Sequence, residues 1–228
     1  MQEEKQGNVL FGGLGNASNK KDSRSGDGFM GVIREIEELE KTFVIKGVPE
    51  EYKDVWTPNG EIKLWSVPRK TAEILNALVM VSRPKTILEL GTSAGYSTLW
   101  FAKAAEQYGG KVHTIELAKP KIEMAGKHFQ KAGLSECIEQ LEGKISDILP
   151  RWDKGQIDFV FMDADKKNYL SYLKQLEPFL SEGAVIAADN AIDFKGLMDD
   201  YLIYVSESGK YKSRLIEIDN GLMVSVKN

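Results

Sequence analysis

The chain has 228 residues with one cysteine, Cys137, and two histidines, His113 and His128, so it carries neither a disulfide framework nor a zinc site built from Cys and His. Hydrophobic residues make up 42% and charged residues 28%, a globular balance that excludes wholesale disorder. A net charge of -4 disfavours a broad nucleic-acid footprint, and no signal-peptide pattern or apolar run approaching ~20 residues marks a membrane protein. A cytoplasmic protein is the expectation.

Residues 1–28 are rich in Gly, Asn, Ser and Lys and lack an apolar period. Such a segment cannot offset its ordering entropy, so it reads as a flexible arm; the alternative is an arm that orders over a substrate or a partner subunit. A single domain then covers residues 29–228, with helices and a loop in 29–82 and a sheet core in 83–228. Phe29, Ile33, Ile36, Leu39 and Phe43 recur at helical spacing. Pro49, Pro58, Asn59 and Gly60 make a loop of residues 48–63. A second helix starts near Pro68, a residue suited to a first helical turn, and runs through Ala72, Leu75 and Val79.

From Thr86 onward strands and helices alternate. Strands are expected at Thr86–Leu90, Lys111–Ile115, Cys137–Leu141, Asp158–Met162 and Ala184–Ala188. Helices are expected at Tyr96–Gln107, at Pro120–Ala132 (closed by Gly133), at Tyr169–Leu180 and at Phe194–Ser206. Arg214–Ile218 and Leu222–Val226 flank Asp219-Asn220-Gly221, a hairpin signal. The alternation defines an α/β protein with a mostly parallel sheet and helices on both faces, closed by an antiparallel hairpin.

The first strand of that series runs into Glu89-Leu-Gly91-Thr-Ser93-Ala-Gly95-Tyr-Ser97 and then a helix. In an open α/β sheet, ligands bind at the carboxyl ends of the strands, where the strand order reverses. Gly91 and Gly95 let the backbone turn tightly there. A dinucleotide fingerprint fits poorly, since its second glycine is Ser93. The G-x-S-x-G pattern of a hydrolase nucleophile is met by Gly91-Thr-Ser93-Ala-Gly95, but no histidine follows His128, which lies in a helical run where a surface position is the ordinary expectation. The third reading is a nucleoside loop for S-adenosylmethionine. Glu89 would accept from the ligand's ammonium, directly or through water, and Glu116, at the end of the second strand, would accept both ribose hydroxyls.

Two later strands end in Asp163-Ala-Asp165-Lys166 and Asp189-Asn190. Asp163, Asp189 and Asn190 would supply three hard oxygen ligands for Mg²⁺, with Mn²⁺ or Ca²⁺ as alternatives; strand-end capping is the simpler explanation of Asn190 alone. Lys166 beside such an ion could act as a general base, against the ordinary fate of a surface lysine. Asp165 would cap the next helix or orient Lys166. Cys137, in a strand, reads as an inert core residue.

Taken together, Glu89–Ser97, Glu116, Asp163–Tyr169 and the Asp189-Asn190 pair resemble the cation-dependent O-methyltransferases, from about Trp65 to the C-terminus. That family includes the caffeoyl-CoA and catechol enzymes. The resemblance implies a seven-stranded class I methyltransferase fold, S-adenosylmethionine as donor, a divalent cation and a homodimer. It implies Asp163, Asp189 and Asn190 as metal ligands and Lys166 as base, with Asp163 also at the donor. It further implies Glu89, Gly91, Ser93, Gly95, Ser97 and Glu116 at the donor. The sequence departs from plant members at Val67 and Ile145, and Ala191–Phe194 replaces the insertion that shapes their acyl-CoA site, a layout closer to compact bacterial members. The implied acceptor is a small vicinal diol such as a catechol. A tRNA hydroxyuridine, which Lys20, Lys21 and Arg24 would favour, and a non-catalytic nucleoside-binding protein are the alternatives.

Overall fold

The computed structural model of the protein describes residues 24–46 and 60–228. Most of the expected arm (residues 1–23) and most of the expected loop (47–59) lie outside the described residues. Helix α1 spans Arg24–Glu40 and so begins inside the stretch expected to be flexible. Its first five residues include Gly26 and Gly28 and make a poor nucleus. Phe29, Val32, Ile33 and Ile36 anchor the following turns in the core, and extending an anchored helix is far easier than nucleating one. Two short strands, β1 (Ile45–Lys46) and β2 (Glu61–Ile62), form an antiparallel ribbon that the loop chemistry of this region did not indicate. Helix α2 spans Arg69–Ser82, with Pro68 one residue before its first turn.

The sheet core follows the expected alternation: β3 (Thr86–Leu90), α3 (Tyr96–Ala105), β4 (Lys111–Glu116), α4 (Lys119–Ala132), β5 (Ile138–Glu142), a short α5 (Ile145–Ile148), β6 (Ile157–Met162), α6 (Tyr169–Leu176), β7 (Leu180–Asp189), α7 (Asp199–Glu207), β8 (Tyr211–Ile216) and β9 (Leu222–Lys227). Strand order is β5-β4-β3-β6-β7-β9-β8. The first five are parallel, and β9 runs antiparallel between β7 and the edge strand β8. Alternate residues of β3 and β6 face opposite layers. Ile87, Phe159 and Phe161 pack under α1–α4, while Leu88, Leu90, Val160 and Met162 pack under α5–α7.

Several boundaries moved for identifiable reasons. Helix α6 stops at Leu176 because Pro178 cannot donate to a continuing helix, and Leu180 already belongs to β7. The Glu182-Gly183 turn is a bulge inside β7: pairing with β6 steps from Ile157–Leu180 to Phe159–Val185, with Gly183 at φ +72°. A long helix from Phe194 does not form. A single 3₁₀ turn (Lys195–Leu197) comes first, and α7 begins at Asp199-Asp200, two acids that suit a helix N-terminus. Cys137 lies in a 3₁₀ turn before β5, half-buried against the core rather than within the strand.

Candidate active site

Strand order reverses between β3 and β6. Leu90 is level with Met162, and backbone bonds tie the strand ends together: Asp163 N donates to Leu90 O (3.0 Å) and Gly91 N to Ile115 O (3.0 Å). Gly91 sits at φ +102°, and a Cβ there would overlap the Asp163 carbonyl oxygen and lie 3.1 Å from its carbonyl carbon. The glycine is therefore required by close approach as well as by conformation. A cavity of about 830 Å³ opens above these ends. Of the ten residues singled out in the sequence, eight line it, and Glu89 and Gly95 do not.

Glu89 is fully buried beneath the loop. Its Oε1 accepts from Ser97 Oγ (2.5 Å), and its Oε2 accepts from Thr114 Oγ1 (2.6 Å) and from Thr98 Oγ1. Burial pushes its carboxyl up to about 7, against the opposing effect of those three donors. Glu89 does not itself line the cavity, whereas Ser97, which donates to it, does. Gly95, at φ +83°, is a packing glycine: a Cβ would come 2.8 Å from Cζ of Phe129 on α4. Ser93 is not a nucleophile in waiting. Its hydroxyl donates to the Leu64 carbonyl, and its backbone N–H donates to Glu116 Oε2 (2.9 Å). His128 is buried rather than on the surface, with Nδ1 2.8 Å from the Ala94 carbonyl, so it holds the loop's backbone and not the serine. Glu116 Oε1 accepts from Leu117 N (2.9 Å) and Ala118 N (2.8 Å), which fixes the carboxylate at the cavity wall.

The acidic end of the cavity is built by β6 and β7. Lys166 Nζ lies 2.7 Å from Asp163 Oδ1, both side chains being largely buried. Tyr169, fully buried below them, donates to the Met162 carbonyl at 2.8 Å. Asp189 is 3% exposed, and its Oδ1 has no hydrogen-bond partner. Burial, with the charge of Asp163 adding to it, pushes the Asp189 carboxyl up to about 7. Asn190 follows in the left-handed region at φ +66°. Its loop is braced by the β8–β9 turn: Ala191 N donates to Gly221 O (2.9 Å) and Ile192 N to Asn220 O (3.0 Å). That turn is pinned to α2, where Asp219 Oδ2 accepts from Thr71 N (3.2 Å) and Thr71 Oγ1 (2.8 Å). Asp165 spends one oxygen on Asn168 Nδ2 (2.6 Å), closing the 3₁₀ turn that carries Lys166.

Among the described residues no three His, Cys, Asp or Glu side chains are clustered to hold an ion. The set here is two carboxylates and an amide. A buried carboxylate oxygen without a partner is costly unless something positive meets it, and hard oxygen donors are the chemistry that Mg²⁺ takes. The residues therefore fit such a cation.

Glu40, Trp65 and Lys121 are among the cavity residues that no sequence motif marked. Glu40 accepts from Trp65 N (2.9 Å) and Ser66 N (3.1 Å), Trp65 stands at φ +53°, and Lys121 Nζ lies 4.8 Å from the centre of the Trp65 ring. All three line the cavity. None belongs to a motif; the one signal was a basic residue in the first turn of α4, where the helix dipole disfavours it.

A seven-stranded sheet of this order, with a glycine turn and two acidic strand ends opening on one crevice, defines the class I methyltransferase architecture. Residues 50–223 match the O-methyltransferase family, and the chain belongs to it. It is 36% identical over 138 residues to a catechol O-methyltransferase of Niastella koreensis and 33% identical over 138 residues to one of Mycobacterium tuberculosis. These matches cover 59% and 60% of this chain, and the chain spans 62% of each relative's length. A caffeoyl-CoA O-methyltransferase of Eucalyptus globulus is 33% identical over 135 residues, 56% of this chain and 54% of the relative. Among solved structures, the O-methyltransferase from Bacillus cereus in complex with SAH superposes with a TM-score of 0.67 at 21% identity, covering 93% of this chain and 94% of that one. TomG from Streptomyces achromogenes, in complex with SAM, gives 0.67 at 22% identity, covering 92% and 91%. No described helix is long and apolar enough to cross a membrane.

Proposed function

We propose that the protein is an S-adenosylmethionine-dependent O-methyltransferase that acts on a small molecule with vicinal hydroxyls and uses a divalent cation. The observation that carries this reading is the unpartnered Oδ1 of buried Asp189, in the same cavity as Glu116 and the Gly91 turn. The relatives named for catechol and caffeoyl-CoA methylation support the reaction class.

Asp163, Asp189 and Asn190 would hold the cation, which supplies Lewis-acid polarisation of a hydroxyl. The rest is the work of the chain. The Gly91 turn admits the donor's backbone-like portion close to the strand ends, and Glu116 accepts from its ribose. Lys166, as the neutral amine, takes the acceptor's hydroxyl proton at Nζ and becomes the ammonium that pairs with Asp163 Oδ1. Asp163 and the 3₁₀ turn fix where that amine sits. The acceptor oxygen then attacks the sulfonium methyl in line and the methyl C–S bond breaks, leaving the methyl ether and S-adenosylhomocysteine, with orientation contributing up to about 7–11 kcal/mol in the best-oriented cases. The cavity walls from Tyr172, Phe194 and Leu197 present apolar surface to an aromatic acceptor.

The test is methyl transfer from S-adenosylmethionine to a simple catechol. Activity should vanish in excess EDTA, return with Mg²⁺, and be abolished by Asp189→Ala. Full activity in excess EDTA rejects the cation. Binding of S-adenosylhomocysteine with no turnover on any diol would make this a binding protein, and a salt-steep affinity for tRNA would move the acceptor to RNA.

A further inference from the structure

Lys121 is a lysine in an unusual place. It stands in the first turn of α4, where the helix dipole opposes a cation, and it is 5% exposed. An ammonium carries three N–H donors. Lys121 Nζ lies 4.8 Å from the centre of the Trp65 ring, and among the described residues no carboxylate or carbonyl accepts a hydrogen bond from it. The ring attracts the charge without taking a conventional hydrogen bond, so the donors stay available. Trp65 is itself fixed, since its backbone N–H donates to Glu40. Burial draws the Lys121 pKa down, and the charges of Glu116, Glu40 and Asp163 oppose that shift.

Glu116 supplies the second half of the argument. A carboxylate offers about four lone-pair positions. Leu117 N and Ala118 N take both positions of Oε1, and Ser93 N takes one of Oε2. One acceptor position is left, enough for a single hydroxyl, whereas a ribose presents two. Glu116 alone cannot accept from both, as the sequence suggested.

We infer that Lys121 donates to a ribose hydroxyl oxygen of the bound nucleoside, so that the diol is held between an acceptor, Glu116 Oε2, and a donor, Lys121 Nζ. Both residues line the one cavity. The inference rests on the donor reading above and assigns a binding residue to it.

The experiment titrates S-adenosylhomocysteine and its 2′-deoxy and 3′-deoxy analogues into wild type, Lys121→Met and Lys121→Gln. Methionine keeps the apolar stem, and glutamine keeps a neutral N–H donor. Thermal unfolding checks that both variants are folded. Lys121→Met should weaken S-adenosylhomocysteine about tenfold or more, as expected for losing a charged donor, with Lys121→Gln in between. The loss should shrink to about twofold for whichever analogue lacks the hydroxyl that Lys121 meets. Equal affinity of wild type and Lys121→Met overturns the inference, and so does an equal loss for all three ligands, which marks a structural role. Failure of the wild type to bind S-adenosylhomocysteine overturns the donor reading itself.

Discussion

Gly91→Ala perturbs the point where two strand ends touch. The backbone there is at φ +102°, outside the region an L-residue adopts easily, and holding alanine in such a conformation costs about 1–3 kcal/mol. The added Cβ also overlaps the Asp163 carbonyl, which is backbone and cannot swing away; forcing atoms into a filled space adds about 1–3 kcal/mol. The sum, about 2–6 kcal/mol, is a large part of a typical domain's stability. Gly155→Ala is the control. It has φ +87° but nothing within 4 Å of the new Cβ, so it should show the conformational part alone. Urea unfolding measures both variants, and titration with S-adenosylhomocysteine follows the crevice. Gly91→Ala should lose more stability than Gly155→Ala and should also lose affinity, while Gly155→Ala keeps it. Equal losses in the two variants, with native affinity in both, would refute the close approach of Gly91 to Asp163.

Glu89 makes stability depend on pH. Its folded pKa of about 7 lies above the ordinary 4.5, so the unfolded chain ionises first; its contribution is complete below pH 4.5 and is lost as pH rises through 7, by up to about 3 kcal/mol. Urea unfolding at pH 5 and pH 8 should show that slope in wild type and a flatter one in Glu89→Gln. Asp219→Ala removes two hydrogen bonds to Thr71 and should destabilise by about 2 kcal/mol; Asp219→Gly should lose less, because Asp219 sits at φ +44°. Thr71→Val and Asp219→Ala should combine less than additively in a double-mutant cycle, since each breaks the same contact.

The sheet was readable because its strands are nearly continuous apolar runs. Ile87-Leu88 and Phe159–Met162 have to be covered on both faces, which dictates helices on both sides. The strand-end acids were readable for the same reason: residues just past such runs must emerge at one edge. What stayed hidden was orientation at the level of one side chain. Glu89 and Glu116 look alike as acids near strand ends. Yet Glu89 stands two residues before the turn and points under it, while Glu116 ends its strand and faces the cavity. His128 looked like a surface residue because nothing local says that the Ala94 carbonyl will reach it. Lys121 gains its environment from Trp65, 56 positions away, and no periodicity encodes that meeting. The irregular path from Asn190 to Met198 depends on the β8–β9 turn behind it, a long-range brace that a local helix pattern cannot report.

One cavity serving nucleoside and cation together is the central claim, and Mn²⁺ tests it most directly. The ion is added to the protein with S-adenosylhomocysteine, and paramagnetic broadening of the nucleoside's proton resonances is recorded. Protons of the ribose and the homocysteine chain should broaden more than those of the adenine, and Asp189→Ala should abolish the broadening while the nucleoside still binds. Nucleoside binding with no broadening in the wild type, or broadening unchanged by Asp189→Ala, would contradict it.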